Sequence, residues 1–99
     1  MVVEHLSFRI PLALQPRYIA LDAEIWTATL ATQPGFLGKE TWADASDPDA
    51  LHLIIRWTSH EHWHAVPKAL LAETDRRFAD ALGRVYPALS CTAYDVLSG

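Results

Sequence analysis

The stretch Leu51–Val66, LHLIIRWTSHEHWHAV, decides how this chain is read. In its first half, Leu51, Leu53, Ile55 and Trp57 occupy alternate positions, the period of a strand with one face on a core. Ser59 then suits a helix N-cap. Helical spacing continues to Leu82, where Gly83 supplies a C-terminal stop. Pro67 splits that run into a short first turn and a longer second helix, because proline lacks the backbone donor and crowds the preceding turn. The longer helix should turn Leu70, Leu71, Thr74, Phe78, Ala81 and Leu82 inward.

The same residues hold a competing pattern. His60-Glu61-His62-Trp63-His64 matches H-E-x-x-H, which on a helix sets two imidazoles one turn apart beside a glutamate able to activate metal-bound water. A catalytic zinc needs a third protein ligand. His5 and His52 fall on strand faces expected to point away from the helices, and Pro67 cuts short the helix that would hold the pair. A metal site at His60/His64 therefore stands as an alternative, and no metal ligand is assigned.

Working outward, Val2, Leu6, Phe8 and Ile10 alternate with Val3, His5, Ser7 and Arg9, giving a first strand with one apolar and one mixed face. Residues 16–32 carry helical spacing, with Tyr18, Ile19, Leu21, Ile25, Trp26 and Leu30 on the apolar side. Residues 35–44, GFLGKETWAD, read as a second strand in which Phe36, Gly38, Glu40 and Trp42 share a face. LSCTAYDVL, 89–97, is the last strand.

The order β-α-β-β-α-β predicts an α+β, ferredoxin-like domain: a four-stranded antiparallel sheet with both helices on one face. The other face would then carry His5, Ser7, Arg9, Lys39, Thr41, His52, Ile54, Arg56, Thr92, Tyr94 and Val96. That mixture is too apolar in places to be left wet, so a second copy is expected to cover it, making a homodimer.

Composition narrows the function. One domain, 1–99, accounts for the whole sequence. A net charge of −4 with scattered Lys and Arg argues against nucleic acid or an anionic membrane as partner. Cys91 is the single cysteine, so no disulfide framework exists. It reads as a small buried hydrophobe. Neither a signal peptide nor a membrane span is visible, and a cytoplasmic location is the expectation. No phosphate-cradling glycine loop or dinucleotide fingerprint is present, and no cofactor is expected.

LIIRWTSHEHW at 53–63 has the form strand–Trp–x–Ser–x–Glu–x–Trp; QPGFLGKE at 33–40 and DAEIWT at 22–27 precede it. Together these resemble the antibiotic biosynthesis monooxygenase-like family of dimeric α/β-barrel proteins, in particular a small bacterial branch, over about residues 2–97. The resemblance implies a homodimer and, for part of the family, cofactor-free oxygenation of phenolic or quinol substrates. It also reaches haem-degrading enzymes. Of the three residues that branch uses, Trp63 matches a tryptophan. An asparagine position falls at or near Phe8, and no histidine lies near Glu73–Asp75, so haem degradation is not implied here.

The helix faces point independently to a pocket. Asp22 and Thr29 sit at the centre of the first helix's apolar arc. A carboxylate there is costly unless it is paired or lines a cavity. Such a cavity would be bounded by Phe8, Trp26, Trp42, Trp57 and Trp63, with Tyr18 at its rim and Glu40 sharing it. Two carboxylates in one dry pocket would raise a pKa and make a proton acceptor. Asp22 and Trp63 are the catalytic candidates; Phe8, Tyr18, Trp26, Glu40, Trp42 and Trp57 are the substrate-binding ones. The expectation is a binder or cofactor-independent monooxygenase of a small aromatic ligand. Against it stands a non-catalytic stress or regulatory dimer whose tryptophans merely fill the core.

Overall fold

The computed structural model describes residues 1–99. Four strands, β1 (Val2–Arg9), β2 (Phe36–Ala43), β3 (Ala50–Trp57) and β4 (Ser90–Asp95), form one antiparallel sheet in the order β2-β3-β1-β4. The helices pack on one face. They are α1 (Gln15–Leu21), a π-helical segment (Asp22–Thr27) and α2 (Ala28–Leu30) in one continuous run, then α3 (His60–His64) and α4 (Lys68–Leu82). The shortest dimension, 19 Å, is that of one sheet and one helix layer. This is the α+β, ferredoxin-like architecture expected from the element order.

Local signals place the elements as read. The Ser59 hydroxyl accepts from the His62 backbone N–H at 3.2 Å, capping α3. Pro67 separates α3 from α4, and Gly83, at φ +80°, ends α4. The Pro34-Gly35-Phe36 passage has a clear cause. Gly35 adopts φ +84°, and a Cβ there would fall on the His62 ring, so the approach of β2 to α3 needs glycine.

Two departures from the sequence reading matter. First, β2 is bulged between Phe36 and Gly38: Phe36 pairs with Trp57, yet Gly38 pairs with Arg56 and Lys39 with Ile55. The extra residue reverses the strand's alternation beyond it. Lys39 and Thr41 therefore join the helix-covered face, and Glu40 and Trp42 move to the open one, opposite to the expected arrangement. Second, Cys91 is exposed, not buried, because it lies on the edge strand β4, whose residues are all exposed.

The covered face holds two separate clusters of buried apolar side chains. Val2, Leu30, Ile55, Trp57 and Val66 form one. Ile10, Tyr18, Leu51, Phe78 and Leu82 form the other. The space between them is where the candidate site lies.

Candidate functional site

A cavity of about 290 Å³ opens between the helix layer and the sheet, at the small end of ligand-binding pockets. Its wall is mostly apolar and takes residues from both clusters, Trp57 and Val66 from one and Tyr18 and Phe78 from the other. Phe8, Tyr18, Asp22, Trp26, Trp57 and Trp63, all named from the sequence, line it together. Glu40 and Trp42 do not; the β2 bulge turns them to the far side of the sheet.

The π-helical segment sets the first helix's contribution. Tyr18, Asp22, Trp26 and Leu30 recur every fourth residue, and all four line the cavity. In a pure α-helix, a strict four-residue spacing drifts around the axis, because a turn holds 3.6 residues. The wider turn over Asp22–Thr27 offsets that drift and keeps Asp22 and Trp26 aimed at the sheet.

Where two carboxylates were expected, the pocket holds a buried ion pair. Lys39 Nζ lies 2.6 Å from Asp22 Oδ2, with side-chain exposures of only 3% and 4%. Burial pushes the Asp22 carboxyl above its ordinary value, and the Lys39 ammonium opposes that rise through charge and a hydrogen bond. Asp22 Oδ1 is buried and has no hydrogen-bond partner. An ionised carboxylate oxygen left bare in an apolar wall is costly unless something donates to it.

The pocket does contain a second carboxylate, from a different element. Glu4 lines it from β1, and Trp57 Nε1 donates to Glu4 Oε1 at 3.3 Å. Burial raises the Glu4 carboxyl; the Trp57 bond and the Lys39 and His64 charges hold it back. Burial also raises the Tyr18 phenol, with Asp22 and Asp75 adding to the effect. Sequence reasoning missed Lys39 and Glu4. Glu4 was legible, since it shares the parity of Val2, Leu6 and Phe8. Lys39 was signalled only by Gly38, a glycine inside a strand pattern, which often marks a bulge.

At the H-E-x-x-H motif, His60 Nε2 sits 2.6 Å from Asp95 Oδ1, and His64 stacks on Trp63 with ring centroids 4.5 Å apart. Glu61 is exposed, and no group of three His, Cys, Asp or Glu side chains is placed to hold a metal ion. The pattern is a capped helix start.

Fold and cavity together define a ferredoxin-like α+β protein with a small, mostly apolar, aromatic pocket that carries one ion pair. No protein-family model matches the sequence, and no curated protein matches it. Solved structures match over nearly the whole chain. A monooxygenase from the ActVA-Orf6 gene of Streptomyces coelicolor, in complex with nanaomycin D, superposes with a TM-score of 0.75 at 17% identity, covering 99% of this chain and 88% of that one. A variant of SnoaB, a cofactor-independent oxygenase from Streptomyces nogalater, does so with a TM-score of 0.70 at 18% identity, covering 99% and 94%. A conserved protein from Methanosarcina mazei Go1 gives 0.66 at 11%, covering 94% and 89%. The chain thus has the fold of the antibiotic biosynthesis monooxygenases that its sequence resembles. At these identities the likeness is one of fold.

Proposed function

We propose that the protein binds a small phenolic or quinol-type aromatic compound in the Asp22 cavity and oxygenates it without a cofactor. One observation carries this reading: Asp22 Oδ1, buried in an apolar, tryptophan-lined wall, has no donor. A phenolic hydroxyl supplies that donor, and an aromatic ring suits faces offered by Trp26, Trp57 and Trp63. SnoaB and the ActVA-Orf6 protein, which share the fold, are named as a cofactor-independent oxygenase and a monooxygenase.

The chemistry asks little beyond what the chain holds. Asp22 accepts the hydroxyl proton, and the adjacent Lys39 ammonium stabilises the phenolate that remains. The electron-rich phenolate passes one electron to dioxygen. Recombination forms a carbon–oxygen bond at a ring carbon bearing hydrogen, and loss of water from that hydroperoxide leaves a quinone. Phenol plus dioxygen thus becomes quinone plus water. Trp63, at the start of α3, packs against the substrate and keeps water out.

The protein works as a homodimer in this reading. Trp42 and Tyr94 are about half exposed, at 47% and 53%, on opposite sides of the sheet's uncovered face, and a second copy would bury both. Sedimentation at high concentration tests this, and a persistent monomer would overturn it.

Calorimetry with a panel of hydroquinones and naphthols, each beside its O-methyl ether, tests the pocket. The phenols should bind at least about ten-fold more tightly than the ethers, the worth of one hydrogen bond to a charged acceptor. Oxygen uptake with a bound phenol should vanish in the Asp22→Asn/Lys39→Met double variant, which leaves no charge stranded. Equal binding of phenol and ether, or binding of neither, would sink the proposal.

A further inference from the structure

The uncovered face of the sheet carries a second cluster, which the aromatic pocket does not use. It follows from strand register. Ser7 on β1 pairs directly with His52 on β3, and His52 pairs with Trp42 on β2, so the three form one rung across the sheet. Side chains two residues apart on a strand share a face. His5 is two residues before Ser7, and Asp44 is two residues after Trp42. All four polar groups therefore project from the same side, on the Ser7–His52 rung or one same-face position away from it.

Their atoms converge. His5 Nε2 and His52 Nδ1 are 2.8 Å apart. Ser7 Oγ lies 3.3 Å from His52 Nδ1 and 3.5 Å from His5 Nε2. Behind His52, Asp44 Oδ2 is 3.1 Å from Nε2. The two imidazole rings are tilted by 53°, so they meet nitrogen to nitrogen and are not stacked face to face. Tyr94 stacks on the outer side of His5 at 28°, with centroids 6.2 Å apart.

From this geometry we propose that His5 Nε2, His52 Nδ1 and Ser7 Oγ form a binding site for a divalent transition-metal ion of the kind imidazole prefers: Zn²⁺, Ni²⁺ or Cu²⁺. The three donor atoms make a triangle of sides 2.8, 3.3 and 3.5 Å. A point equidistant from its corners is about 1.9 Å from each, so an ion with metal–nitrogen bonds of about 2.0–2.1 Å rests just above the plane. The remaining coordination position faces away from the sheet.

The tautomers support the same arrangement. A carboxylate only accepts, so Asp44 holds the proton of His52 on Nε2 and leaves the lone pair on Nδ1, the ring atom that faces His5 and Ser7. That is the carboxylate–imidazole–metal relay in which an outer carboxylate orients the ligand ring. Without metal, His5 Nε2–H donates to His52 Nδ1. With metal, His5 carries its proton on Nδ1 instead and presents the Nε2 lone pair.

His60 and His64 do not offer this. Their ring centroids are 6.1 Å apart against 5.0 Å for His5 and His52, and Asp95 occupies His60 Nε2. The new site lies across the sheet from the Asp22 cavity and does not depend on the oxygenase proposal.

Zn²⁺ titrated by calorimetry into tag-free protein tests the proposal. One ion should bind per chain. His5→Ala and His52→Ala should each weaken binding at least ten-fold; Asp44→Asn should weaken it about 10–100-fold, as outer-shell losses do. His60→Ala/His64→Ala should leave it unchanged. Imidazole NMR signals of the unmodified protein give a readout that needs no variant: Zn²⁺ should shift the His5 and His52 rings and spare those of His60, His62 and His64. No binding at submillimolar Zn²⁺ would overturn the site. So would affinity that survives His52→Ala, or shifts confined to the His60–His64 helix.

Discussion

Lys39 and Glu40 are neighbours on one strand, and each finds an opposite charge, yet the two ion pairs live in different worlds. Lys39 points into the helix layer and meets Asp22, both side chains nearly dry. Glu40 points out of the sheet and meets Arg56, with side chains 52% and 33% exposed. Adjacent residues on a pleat face opposite ways, so one covered face and one open face turn the same chemistry into two energetic regimes. Water screens the outer pair, which is worth little. The protein's own groups do not satisfy the inner pair fully, since none of them donates to Asp22 Oδ1. A pair that costs desolvation without completing its hydrogen bonds is poor as a stabilising device.

The contrast can be broken most forcefully at Asp22. Asp22→Asn should destabilise the protein by about 3–5 kcal/mol, because it leaves the Lys39 ammonium buried without a counter-charge. Adding Lys39→Met should recover most of that loss. Urea denaturation of the two single variants and the double gives the coupling directly, and additive losses would mean that the pair is not dry.

A smaller effect tests how β2 enters the covered side. Gly35→Ala should cost more than about 1 kcal/mol, since alanine is strained at positive φ, and its Cβ would meet the His62 ring. His62 Cβ lies in the way as well as the ring, so only His62→Gly, which removes both, should return the steric part and leave the backbone part. Thermal denaturation of the pair of variants separates the two.

Glu4→Gln sharpens the comparison through pH. Burial raises the folded-state carboxyl above 4.5. Such a group contributes stability below its unfolded value and loses it as pH rises through the raised one. The glutamine keeps an acceptor for Trp57 but cannot ionise. Its stability relative to the unmodified protein should therefore climb as pH rises above 4.5 and level off once Glu4 is fully ionised. Denaturation curves across pH 4–8 would show this, and a flat difference would place Glu4 in water. The smallest effect belongs to the open side: Glu40→Gln should change stability by at most about 1 kcal/mol in the same urea assay.

Much of the architecture was legible because its signals are local. Alternation in β1 and β3, the Ser59 cap, the Pro67 break and the Gly83 stop each depend on a few consecutive residues. The element order then left few ways to build a sheet. The pocket was half legible for the same reason: Asp22 and the aromatic residues of the first helix could be placed by helical period, and Phe8, Trp57 and Trp63 by strand parity and helix start. Trp42 and Glu40 were misplaced by a single inserted residue. A bulge reverses every later side chain on its strand, and FLGK hints at one only through its glycine.

The amino-acid sequence by itself determined which segments are strands and helices, and that a carboxylate would sit on an apolar helix face. Periodicity and capping act over one or two turns, so the chain carries that information locally. Only the tertiary structure decided that Lys39, rather than Glu40, meets Asp22. Only there does a π-helical turn line up Tyr18, Asp22, Trp26 and Leu30 on one cavity, and only there do Ser7, His5 and His52 come together on one face of the sheet. Each of these depends on the register between segments distant in the chain, and register is set by the packing of whole faces rather than by neighbouring residues.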